Sequence, residues 1–127
     1  PDVARVRDRV GGQLQALLGS QRRVAVSSME RRPGPDYAFN DPLLARVLQE
    51  APFSQGNVII AQLFLLEGRH AGDDGDIATI CRQAEEASPR LHCHRTRLLG
   101  EHPLLLDILQ DRFRDKPTQI ITIDGSI

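Results

Sequence analysis

His70 is the side chain in this 127-residue sequence best placed to do chemistry. It closes the stretch Leu63-Phe64-Leu65-Leu66-Glu67-Gly68-Arg69-His70, where an apolar run from Val58 to Leu66, broken only by Gln62, changes into a polar turn. A neutral imidazole suits borderline divalent ions such as cobalt(II) and iron(II), and it can accept a proton near neutral pH. Glu67 stands beside it as a carboxylate partner. An apolar run that serves both alternating faces predicts a strand buried under helices on two sides, as in a parallel α/β sheet. Ligands of such sheets bind outside the carboxyl ends of the strands, where the His70 loop falls. Glu30, at the end of another predicted strand, could share that rim as a metal-site or proton-transfer partner.

The remaining chemistry-bearing residues have plainer readings. Asp73, Asp74 and Asp76 resemble an oxygen-ligand site but lack the distal glutamate of an EF-hand loop, and capping of the next helix accounts for them. His92 and His94 face the same side of a predicted strand and could chelate zinc or nickel, yet nothing nearby supplies further ligands. His102 is expected to lock the entry to the last helix by bonding to backbone. Cys81 and Cys93 are expected to be small buried hydrophobes in a reducing cytoplasm, since two cysteines make no disulfide framework.

These residues must be positioned by an alternating series of elements. Val3, Val6, Val10, Leu14, Leu17 and Leu18 predict one buried helical stripe over Asp2 to Leu18, with Arg5, Arg7, Asp8 and Arg9 mostly outside it. A strand is predicted over Arg23 to Glu30, then a loop, then a helix capped by Asn40 or Asp41 with Pro42 in its first turn. After the central strand come a helix with Ile77, Ile80, Cys81 and Ala84 inward, a strand from Leu91 to Arg97, and a turn at Leu98 to Pro103. A last helix over Leu104 to Arg114 has Leu105, Ile108, Leu109 and Phe113 as its apolar positions, and a final strand is predicted over Thr118 to Ile123. Strict helix–strand alternation predicts one α/β domain over residues 1–127: three layers, with a mainly parallel sheet of about four strands and helices on both faces.

Composition narrows the function. With 40% hydrophobic and 26% charged residues the chain reads as globular. A net charge of -1 gives no electrostatic case for nucleic-acid binding. No apolar stretch reaches the roughly 18 residues needed to cross a bilayer, and the charged N-terminus is unlike a signal peptide. No glycine-rich phosphate loop follows the first predicted strand, where Ser27-Ser28-Met29-Glu30 stands.

The order and wording of these segments resemble the small class II tetrapyrrole chelatases, the sirohydrochlorin cobaltochelatases and ferrochelatases. Leu63 to His70 resembles the family's strand ending in a metal-binding histidine. Leu98-Leu99-Gly100-Glu101-His102-Pro103-Leu104 resembles its Pro-Leu-Gly-x-His-Pro-Leu turn, and Val24 to Glu30 is similar to a family strand ending in an acidic residue. The resemblance implies a chelatase-like half and insertion of cobalt or iron, the metal being a substrate, with no organic cofactor. It further implies a tetrapyrrole partner, a homodimer or chelatase partner, and His70 as metal ligand. Arg69 would meet substrate carboxylates, and Phe64 would belong to the substrate cleft. Family members also carry a strand ending in His-Gly-Ser-Arg, whose histidine completes the metal pair; here that strand would precede Pro1. Gln119 to Ser126 has a similar shape, with Asp124 in the histidine's place. The alternative is a chelatase-like binding or dimerisation module lacking half of the metal site.

Overall fold

The computed structural model describes residues 1–114. Helix α1 spans Asp2–Leu18, a 3-10 turn spans Pro35–Asn40, and a single-turn helix α2 spans Leu44–Val47. Strand β1 (Gly56–Ile60), helix α3 (Asp76–Ala87) and strand β2 (Leu91–Arg95) form a β-α-β unit. A short 3-10 turn, Leu99–Glu101, leads into α4 (Leu104–Arg114). The strands pair in parallel, with Gly56 opposite Leu91 and Ile60 opposite Arg95. The α/β class and the parallel pairing are those expected from the alternation. Among the described residues the sheet has two strands, and the strand expected over Thr118 to Ile123 lies outside them.

The core lies on one side of this sheet. Leu44 and Leu48 of the α2 region, Ile77 and Cys81 of α3, and Leu91 of β2 are buried together, with Met29, Val58, Ile60, Phe64 and Cys93 packed against them. The period-two geometry of a strand sends the alternate residues the other way. Asn57, Ile59, His92 and His94 therefore face outward, and Ile59 keeps 62% of its surface exposed. The expected burial under helices on both faces is thus not seen among the described residues. A run that is apolar on both alternating positions says that both faces tolerate burial; it does not supply the second covering layer. β1 also stops at Ile60, well short of Leu66.

Two other expectations change for related reasons. Residues 23–30 form no strand and make one bridge only, Ser28 with Leu43, because β-branched side chains favour a strand only where a neighbouring strand pairs with it. In α1 the valine stripe faces solvent: Val3, Val6 and Val10 are exposed, while Ala4 is buried and Arg7 and Gly11 partly so. Arg7 anchors the opposite face, donating to Ser28 Oγ at 2.7 Å and to the carbonyls of Asn40 at 3.1 Å and Phe39 at 3.2 Å. A five-donor guanidinium that satisfies several acceptors at once outweighs a few half-buried valines, and the small Ala4 and Gly11 permit the close approach. In α4 Ile108, Leu109 and Phe113 are exposed as well, and no residue of the helix is buried.

The expected caps also differ. Leu43 precedes α2 and Gly75 precedes α3, neither with a side-chain cap; Asp41 instead pairs with Arg31, and Asp73 with Arg95. A side chain at position 75 would bring its Cβ within 2.6 Å of the His70 carbonyl oxygen, so the helix start is fixed by close backbone approach.

Cys81 and Cys93 are free thiols, the first buried and the second half-buried, as expected of small core residues. Burial raises both thiols above their ordinary 9.0; for Cys93, burial and then the neighbouring Cys81 and Glu85 push it to about 12. The folded state therefore holds that proton more tightly than the unfolded chain does. Stability from this group is intact below pH 9 and is lost as the pH rises from 9 towards 12. At pH 8 the thiolate fraction of Cys93 falls roughly 1,000-fold below that of a free thiol. Alkylation by iodoacetamide, followed by mass spectrometry, should accordingly be slow in the native protein and fast in urea; equal rates would contradict this packing.

Candidate functional site

The two chelatase-like motifs lie against each other. Beyond Ile60 the chain continues to meet the segment after β2: Thr96 N–H donates to the Ile60 carbonyl at 3.0 Å, and Gln62 N–H donates to Thr96 Oγ1 at 3.0 Å. Leu99 and Gly100 then donate to the carbonyls of Phe64 and Leu65, each at 3.0 Å. A Cβ at position 100 would overlap the Leu65 carbonyl oxygen, so the motif requires glycine there for backbone contact. His102 does what was expected of it: its Nδ1 accepts the Leu104 N–H at 3.1 Å and locks the entry to α4.

His70 is held by the loop this zipper creates. Ala71 N–H donates to the Glu67 carbonyl at 3.0 Å, and Ile77 N–H donates to the His70 carbonyl at 3.1 Å, tying the loop to the first turn of α3. The imidazole Nδ1–H donates to Asp76 Oδ2 at 2.7 Å, and the Phe64 ring lies 6.4 Å away, centroid to centroid. The side chain keeps 22% of its surface exposed. With Nδ1 bonded to a carboxylate, Nε2 is the lone-pair nitrogen, which is the arrangement that orients and strengthens a metal-binding histidine. A divalent metal held at His70 Nε2 would bind about 10- to 100-fold more weakly after Asp76→Asn, read by metal titration; unchanged affinity would remove Asp76 from the site.

A cavity of about 490 Å³ opens at the carboxyl ends of β1 and β2, lined among others by Gln62, Glu67, Asp73, Arg95, Arg97 and Glu101. Arg95 is fixed there by Asp73 at 2.9 Å and by the Gly72 carbonyl at 3.2 Å, and Arg97 by Glu101 at 3.0 Å. The lining is mostly polar, and apolar Leu65, Leu66 and Leu99 are exposed on the same connecting segments. The loop 67–73 forms one wall, but the His70 ring is turned away towards Asp76 and Phe64.

Of the residues singled out in sequence, Phe64 and His70 are neighbours. Arg69 and Glu30 are exposed, and among the described residues neither shares a hydrogen bond or ion pair with His70. His92 and His94 do share a strand face; His94 Nε2–H donates to Asn57 Oδ1 at 3.0 Å. Among the described residues no group of three or more His, Cys, Asp or Glu is arranged to hold a metal ion. Sequence reasoning missed two residues, Asp76 and Gln62. Gln62 had a visible signal, as the one polar residue interrupting the apolar run. Asp76, six residues beyond His70, had none that separated it from its aspartate neighbours.

No curated protein and no solved structure matches the chain significantly. The CbiX family model matches residues 19–116, from the residue after α1 onwards, and so covers both motifs and the cavity. These are class II chelatases of the sirohydrochlorin cobaltochelatase type, acting on a tetrapyrrole with a divalent metal as co-substrate. With that match over most of its length, and with the two motifs joined at the rim of a parallel sheet, the chain belongs to the CbiX family of chelatases.

Proposed function

We propose that this chain, acting as one chelatase-like domain, inserts cobalt or iron into a sirohydrochlorin-type tetrapyrrole in cobalamin or sirohaem synthesis. The observation that carries the reading is the Asp76–His70 pair, which leaves His70 Nε2 available as a ligand for the incoming ion. The exchange replaces two ring N–H bonds by metal–nitrogen bonds, so two protons must be accepted. Glu67 in the cavity wall can accept one, and Glu30, exposed and unpaired among the described residues, is the second proton-transfer partner. Phe64 supports the imidazole and offers an apolar contact to the macrocycle, while exposed Arg69 can meet its carboxylates through a bidentate pair. The cavity has the volume of a small-ligand site, so a bulkier macrocycle rests across its mouth. A cytoplasmic homodimer or a chelatase partner supplies the second metal ligand.

The test is metal insertion into sirohydrochlorin, followed by absorbance, for the chain and for His70→Ala. A second reading has one observation in its favour: no three-ligand group stands ready among the described residues. On that reading the chain is a non-catalytic chelatase-like module that binds or dimerises, and neither protein inserts metal.

A further inference from the structure

Among the described residues Gln62 is the one buried side chain left with an unpartnered polar atom. It is 6% exposed and lines the cavity at the strand ends. Its Nε2 donates to the Thr96 carbonyl at 2.7 Å, which fixes the orientation of the amide, since only the nitrogen can serve a carbonyl. The side-chain oxygen is then left buried without a hydrogen-bond partner. A buried acceptor in that state is costly and calls for an explanation. A hydrophobic residue would fill the same space more cheaply, and every neighbouring position in the run is apolar.

Resting on the tetrapyrrole reading above, we propose that the Gln62 side-chain oxygen is a positioning acceptor for a ring N–H of the metal-free macrocycle. The chemistry of the ligand selects this pairing. At neutral pH the peripheral groups of such a substrate are carboxylates, which only accept hydrogen bonds, so its N–H donors are in the ring. The arginines of the cavity are already held by Asp73 and Glu101, and Glu67, with no partner of its own among the described residues, supplies a second acceptor on the same wall. A donor that reaches the Gln62 oxygen replaces no existing bond. The residue would thereby favour the substrate, which has ring N–H groups, over the metallated product, which has none.

The experiment measures binding of a free-base octacarboxylate porphyrin and of its zinc complex, by fluorescence quenching, to the intact chain and to Gln62→Met. The chain should prefer the free base by about tenfold, the equivalent of one net hydrogen bond, and the variant should bind the two alike. Gln62→Glu, which retains an acceptor oxygen, should keep the preference, and it serves as the informative variant if the methionine protein fails to melt cooperatively. A preference unchanged in Gln62→Met, or no preference in the chain itself, would overturn the inference while leaving the chelatase reading intact. No binding of either porphyrin to the chain would overturn both.

Discussion

Replacing His70 by alanine is expected to lower the rate of metal insertion into sirohydrochlorin by more than about 100-fold, beyond the roughly 10- to 100-fold cost of losing only a ligand's hydrogen-bond partner. The imidazole is the only histidine ring among the described residues that pairs with a carboxylate, and its ring is steadied by Phe64. Losing it removes the proposed metal ligand itself, so the effect should exceed that of Asp76→Asn, which leaves the ring in place but frees its orientation. That order of severity is informative. If the alanine variant inserts metal as fast as the parent, His70 is a loop residue and the proposed mechanism is wrong. The fold itself should survive the change, because the ring is partly exposed and the loop is tied down by backbone bonds from Ala71 and Ile77.

The second large effect is on stability. Leu91→Ala should cost about 2–5 kcal/mol, against a total stability for domains of about 5–15 kcal/mol. Leu91 is 1% exposed and stands where β2, α3 and the α2 region meet. Among the described residues the core has few fully buried side chains, Leu48 and Leu91 being the largest, so the cavity left by the missing atoms has few neighbours able to close it. Ile59→Ala, on the opposite face of β1, should change stability by no more than about 0.5 kcal/mol. Urea denaturation of both variants checks the pair. Comparable losses would mean that both faces of the sheet are buried, contrary to the one-sided core described here.

The sequence alone determined a good deal. The boundaries of α1, the position of α3, the strand at Leu91 and the turn locked by His102 all follow from local periodicity and punctuation, which act over a few residues. The two motifs at Leu63 to His70 and Leu98 to Leu104 carried the family, and the parallel α/β class followed from the alternation. Tertiary structure decided which face each element uses. Periodicity marks an apolar stripe, but in α1 the Arg7 bonds and the small Ala4–Gly11 side turned the valines outward. It also ended β1 at Ile60, made Asp76 the partner of His70 instead of a helix cap, and buried Gln62 with one end unpaired. Those outcomes depend on groups that are distant in sequence or share a residue type with their neighbours. Only packing in three dimensions brings such groups within bonding distance.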